Sequence, residues 1–190
     1  MVDRKLGTAC ERLLAIRSRQ RLQRLDLGLM RRVLQALLRD AWPNGRFDLA
    51  IHVVAAPEIT RLNESFLKHK GVTDVITFDY AEKEGQASVR FPGEPAVSAS
   101  LGRRDACPVL LHGEIFVCLD EALSQARRFH TTWQSELVRY VVHGVLHLLG
   151  YDDHESRARR KMKRVEDALV RKLARRFEFS RLGRWPVNVA

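Results

Sequence analysis

The sequence predicts an α+β (mixed α/β) fold: a single domain over residues 1–190, with a small central β-sheet packed by helices and one helix buried. Three observations carry this expectation. Short runs rich in Val and Ile recur in the first two thirds of the chain. Segments with apolar residues three and four apart lie between and after those runs. One such segment, residues 133–149, is apolar on nearly every side, as a buried helix is. The length suffices for one core, and the chain contains no internal repeat or low-complexity tract.

In chain order, residues 13–19 read as a first strand. A helix follows over 26–42, with Asp26 as N-cap and Leu29, Val33, Leu37 and Leu38 at helical spacing. Pro43, Asn44 and Gly45 end it. Residues 47–55 alternate and form the next strand. Pro57 suits the first turn of a short helix reaching Leu67. Residues 74–80 (DVITFDY) are strand-like. Residues 85–111, with three prolines and little periodicity, read as a loop insertion or a ragged hairpin. Residues 113–119 (GEIFVCL) are a strand, followed by helices over 120–129, 133–149 and 155–177. The last helix opens a basic C-terminal segment, 155–190.

The formal charge of +10, from 33 Lys+Arg against 23 Asp+Glu, favours a polyanionic partner through long-range attraction and counterion release. No apolar run is long enough to span a bilayer, and residues 1–21 mix charges where a signal peptide needs an apolar block. The expectation is a cytoplasmic protein without a membrane partner. Cys10, Cys107 and Cys118 are odd in number, widely spaced and form no CxxC pair, which argues against both a disulfide framework and a cysteine zinc site. Cys118, in an apolar run, reads as a core residue.

The chemistry concentrates in residues 143–154, HGVLHLLGYDDH. His143 and His147 are four apart and therefore share one face of a helix. Two imidazoles on a buried helix need partners, and a shared metal ion satisfies both. Gly150 suits a left-handed helix stop, after which the turn through Tyr151, Asp152 and Asp153 can return His154 to the same ion. Three neutral histidines with water in the fourth position form an open catalytic Zn2+ site, one per chain. Magnesium, which favours oxygen, suits such a set poorly.

This stretch resembles the signature of the YbeY family, bacterial metal-dependent endoribonucleases of ribosomal RNA maturation and ribosome quality control. Leu62-Asn63 with residues 73–78 (TDVITF) resembles the family's LN…TDVLSF stretch, and residues 112–115 (HGEI) resemble its GDI strand. The resemblance spans roughly residues 13–170. It implies a zinc-dependent, single-strand-specific endoribonuclease acting at the 3′ end of 16S ribosomal RNA. Ribosomal RNA and the ribosome, ribosomal proteins included, are then the partners. Asp74 and Thr77 match family positions close to the cleft, with strand capping or hydrogen bonding as the competing role for each.

Two departures bear on the site. The arginine that the family carries shortly after the LN pair is Leu67 here, leaving Lys68 and His69 as nearby sources of positive charge. The family spacing also puts the third ligand at Asp153, one residue before His154. A turn can absorb one residue, and three imidazoles leave the ion its full charge. His154 is therefore the expected ligand, with Asp153 orienting a histidine N–H; Asp153 is the alternative ligand.

Between residues 155 and 184, twelve Lys+Arg stand against four acids. Met162, Val165, Leu169, Leu173 and Phe177 form the apolar stripe there, so the charges line the wet face, beginning beside His154. Arg160, Lys163, Arg164 and Arg171 are the expected RNA phosphate contacts, against the plainer reading of a solvated face. Two rival functions follow from the same residues. A divergent zinc metallopeptidase would lack the glutamate of HExxH, because that position is Gly144. A non-catalytic, metal-stabilised ribosome-assembly factor is favoured by Leu67 but disfavoured by an open fourth position, since structural zinc sites are closed by four protein ligands.

Overall fold

The structure is a computed structural model that describes residues 12–43, 45–81 and 110–184. Six strands and five α-helices make up these residues: β1 Arg12–Ser18, β2 Arg24–Leu25, α1 Leu27–Ala41, β3 Arg46–Val54, α2 Ala56–Leu62, β4 Val75–Asp79, β5 Leu110–Cys118, α3 Leu119–Phe129, α4 Trp133–Leu148, α5 Ser156–Ala174 and β6 Gly183–Arg184. The main sheet has the order β1-β3-β5-β4. β1, β3 and β5 run parallel, and β4 lies antiparallel on the outer edge of β5.

The two central strands explain the layering. Ile51, Val53 and Val54 of β3 and Ile115, Val117 and Cys118 of β5 are all fully buried, as expected where both faces of a parallel pair are covered. One face carries α1, α4 and α5. Leu49, Ile51, Val53, Leu111, Ile115 and Val117 meet Leu34, Leu137, Val141, Val145 and Leu173 there in one continuous core. The other face is covered around Val54, Ile76 and Phe116 by Ile59 of α2. Cys118 is buried as expected, and the other two cysteines lie outside the described residues.

Local chemistry sets the element ends. Asp26 caps α1, its side chain accepting from the Leu29 N–H at 2.8 Å. Pro57 lies in the first turn of α2 as anticipated. The helical run to Leu67 is not all α: it passes into a single π turn over Asn63–Leu67, stopped by Lys68 in the left-handed region. β5 begins at Leu110, so the last residues of the expected loop belong to a strand, and residues 85–109 lie outside the described part.

A short pairing of β2 with β6 was not anticipated. It follows the 3-10 turn Phe179–Leu182 and returns the chain to the start of α1, where the Asp26 N–H donates to the Leu182 carbonyl at 2.9 Å. No helix among the described residues is long and apolar enough to cross a membrane.

Two glycines allow α4 to sit close on the sheet. A Cβ on Gly144 would lie 2.6 Å from Ile115 Cγ2, and one on Gly113 would run into the Phe78 carbonyl and Leu148. The neighbour of Gly113 is β4 backbone, which cannot rotate away as a side chain can. Gly113→Ala should therefore lower stability by about 2 kcal/mol through overpacking, with the loss visible in chemical denaturation as a lower midpoint at unchanged slope.

Candidate metal centre

α4 starts at Thr132, whose hydroxyl accepts from the Ser135 N–H, and ends in a glycine stop. Gly150 has φ +82°, its N–H donates to the His147 carbonyl, and the Tyr151 N–H donates to the Leu146 carbonyl. This double closure reverses the chain. It also returns the Tyr151 carbonyl to the side chain of His147, which donates from Nδ1 at 3.1 Å. His143, one turn earlier, donates from Nδ1 to Glu166 Oε2 of α5 at 3.0 Å.

These two bonds fix the tautomers. A carbonyl and a carboxylate only accept, so each Nδ1 carries the proton, and in the neutral rings that can bind a metal each Nε2 presents a bare lone pair. The two Nε2 atoms nevertheless face each other at 3.0 Å. Asp153 Oδ2 stands 3.7 Å from His143 Nε2. His143, His147 and Asp153 thus offer ligand atoms that all lie within 4.8 Å of one another. Three acceptors converging on one gap, with no donor among them, call for a cation.

Electrostatics support that arrangement. Burial and the neighbouring His143 push the His147 pKa down, against Asp153, which keeps its ring neutral and able to ligate. Glu166 is 5% exposed and accepts at once from His143, Arg139 at 2.6 Å and Lys163 at 2.7 Å. Burial alone would raise its pKa, but those hydrogen bonds hold it at about 2, so it stays ionised and keeps orienting His143.

The structure does not bring His154 to the pair. Its side chain is 91% exposed and lies 3.8 Å from Asp152, and it groups with Asp152 and Asp153 rather than with the α4 histidines. Arg159, donating to the carbonyls of Asp153 and His154, holds the turn in this form, with Asp153 inward and His154 outward. Asp74 accepts from its chain neighbours, Thr73 and Val75, just ahead of and at the start of β4, and lines a cavity beside α4. Thr77 Oγ1 is buried against Gly144, a helix–sheet contact, without a hydrogen-bond partner among the described residues. Lys68 and His69 are exposed residues of the turn after Leu67, outside the group formed by His143, His147 and Asp153. Of the expected RNA contacts, Arg160, Lys163 and Arg164 line a cleft with Arg157, and Arg171 is exposed further along α5.

Sequence reasoning missed Glu166 and Arg139. The signal for Glu166 was present: an acid one turn after Met162, on the inward face of a mostly basic helix.

Residues 16–174 match the family model described as Endoribonuclease YbeY. A relative named Endoribonuclease YbeY from Salinibacter ruber is 35% identical over 143 residues, covering 75% of this chain and 80% of its own. Another of that name from Chlorobium luteolum is 31% identical over 155 residues, covering 80% of this chain and 93% of its own. The solution structure of TM1509 from Thermotoga maritima shares the fold at a TM-score of 0.58 and 22% identity, covering 94% of this chain and all of the other.

The Glu166 node yields a stability test. Glu166→Ala leaves Arg139 without its buried acceptor and should cost about 3 kcal/mol. The folded pKa lies below the ordinary 4.5, so the contribution of Glu166 is fully present above about 4.5 and is lost as pH falls through about 2. Denaturation of the metal-free protein across that window should show a steep acid limb that the variant flattens.

Proposed function

Because the chain belongs to the YbeY endoribonuclease family, we propose that it is a zinc-dependent, single-strand-specific endoribonuclease of ribosomal RNA maturation, with His143, His147 and Asp153 as its metal ligands. The observation that carries the metal reading is the pair of unprotonated Nε2 atoms 3.0 Å apart with Asp153 beside them. Two imidazoles and one carboxylate suit a borderline ion such as zinc better than magnesium, and they leave an open position. Asp153 replaces His154 in this assignment, because the glycine stop and Arg159 orient the turn that way.

A zinc ion bound there supplies a Lewis acid for the phosphoryl group and a means of acidifying water. The chain's own residues supply orientation and charge. Glu166 and the Tyr151 carbonyl hold the two rings with their Nε2 atoms inward. Arg157, Arg160 and Arg164, in a cleft of about 490 Å³ shared with Lys163, face the solvent and form no carboxylate pair among the described residues. They are placed to take up phosphates of a strand, a contact that positions RNA without reading its sequence. Lys163 is held by Glu166 and Asp167 and contributes less.

The peptidase alternative loses ground on geometry. The position that holds the base in HExxH enzymes is Gly144, and it faces Ile115 and Thr77 of the sheet rather than the histidines, with no room for a side chain.

The ligand assignment is tested by comparing His147→Ala, Asp153→Ala and His154→Ala for zinc affinity and for cleavage of a ribosomal RNA fragment with a single-stranded 3′ tail. The first two should lose zinc by more than about 100-fold and stop cutting, while His154→Ala should stay within about tenfold. Retention of metal by Asp153→Ala and its release by His154→Ala would reverse the assignment. Replacing Arg157, Arg160 and Arg164 together by Gln should flatten the log–log salt dependence of RNA binding by about 2, at −0.7 per phosphate contact. An unchanged slope would remove this cleft from the binding surface.

A further inference from the structure

Beside the histidine pair, on the same stripe of α4, lies a cavity of about 750 Å³ that the metal chemistry does not use. Glu136, Arg139 and Tyr140 line it one to two turns ahead of His143, and Lys163 closes the α5 side. Arg139 and Lys163 hold the Glu166 carboxylate that also holds His143, so one hydrogen-bonded carboxylate separates the cavity from the metal pair. Lys163 also lines the arginine cleft, so its side chain borders both the cleft and the cavity.

The cavity's polar groups are unevenly satisfied. Tyr140 is 5% exposed, and its hydroxyl has no hydrogen-bond partner among the described residues. Three carboxylates line the same cavity, Asp74, Glu121 and Glu136, and after burial itself their charge helps to raise the pKa of that hydroxyl. Asp74 already accepts from Thr73 and Val75, Glu121 from Gln125 and Glu136 from Thr131, and each carboxylate keeps spare lone pairs. The cavity therefore combines surplus acceptors with an unused phenol and two cations. At its rim Phe129 is 59% exposed, a large apolar ring left in water.

We propose that this cavity is a base-binding subsite of the RNA strand, selective for guanine. The inference rests on the ribonuclease reading above. Guanine presents adjacent N1–H and N2–H donors that one carboxylate can accept together, and O6 and N7 acceptors that suit Tyr140, Arg139 or Lys163. Adenine and cytosine offer a single exocyclic amine beside an acceptor that a carboxylate repels. Uracil offers one N–H flanked by two carbonyls. Phe129 supplies a stacking face, the usual way in which an unpaired base is held. The phosphate neighbouring that nucleotide then lies toward the metal pair and the arginine cleft.

The test uses the zinc-loaded full chain and two readouts. The first is binding of guanosine, inosine, adenosine and uridine 5′-monophosphates, which carry the same phosphate and no internucleotide bond to cut. Guanosine monophosphate should bind about tenfold more tightly than the adenosine form, with inosine, lacking the 2-amino group, in between. Tyr140→Phe, which keeps the ring and its packing, and Glu121→Gln should each erase most of that preference. The second readout is the cut position in oligouridylates holding one guanosine, which should follow the guanosine at a fixed offset.

Equal binding of all four nucleotides, or a preference unchanged in both variants, overturns the subsite. Cleavage that ignores the guanosine overturns the subsite and leaves the ribonuclease reading standing. Guanine-selective binding without cleavage of any strand supports the subsite and overturns the ribonuclease reading.

Discussion

Two imidazole nitrogens that both lack a proton repel each other, yet the Nε2 atoms of His143 and His147 stand 3.0 Å apart. Each ring is held in that orientation from behind, one by a buried carboxylate and the other by a backbone carbonyl. Most of the surrounding architecture serves to maintain this arrangement. Gly144 lets α4 press on β5 while an adjacent side of the helix presents the histidines. The left-handed stop at Gly150 returns the Tyr151 carbonyl. α5 packs across α4 through Met162, Val170 and Leu173 and so delivers Glu166. The third acceptor, Asp153, completes a set that a divalent cation satisfies at once.

An aspartate in place of a third imidazole has an electrostatic consequence. A carboxylate ligand cancels part of the ion's charge and weakens the pull on a phosphate backbone. The basic face of α5 compensates, because Arg157, Arg160 and Arg164 begin within a turn of helix of the Asp153 loop and have no acidic partner among the described residues. Their contribution is long-range and screened by salt, whereas that of the ion is local. On the proposed ribonuclease reading the two separate two tasks: collecting the strand and polarising one phosphoryl group.

Much of this was legible in the sequence, for identifiable reasons. The strand and helix positions followed from periodicity, and Asp26, Pro57 and Gly150 marked element ends through backbone chemistry that acts locally. The HxxxH pair was legible because helical spacing alone puts both rings on one face. The order β1-β3-β5-β4 and the β2–β6 pairing depend on contacts between distant segments, and no local pattern encodes them. The direction in which Asp153 and His154 point was equally hidden. Adjacent residues in a turn face different ways, and here the choice is made by Arg159, bonded to both carbonyls. Glu166 was obscured by the charges around it, since an acid on a basic helix reads as a surface ion pair until the packing shows it turned inward.

The proposed metal centre consists of two histidines and one aspartate, His143, His147 and Asp153. X-ray absorption at the zinc edge of the stoichiometrically loaded protein tests it most directly, because imidazole rings give an outer-shell scattering pattern that counts them. The expected spectrum has nitrogen and oxygen ligands at roughly 2.0–2.2 Å and the scattering of two imidazoles. A spectrum requiring three imidazoles would contradict the account and return His154 to the ion.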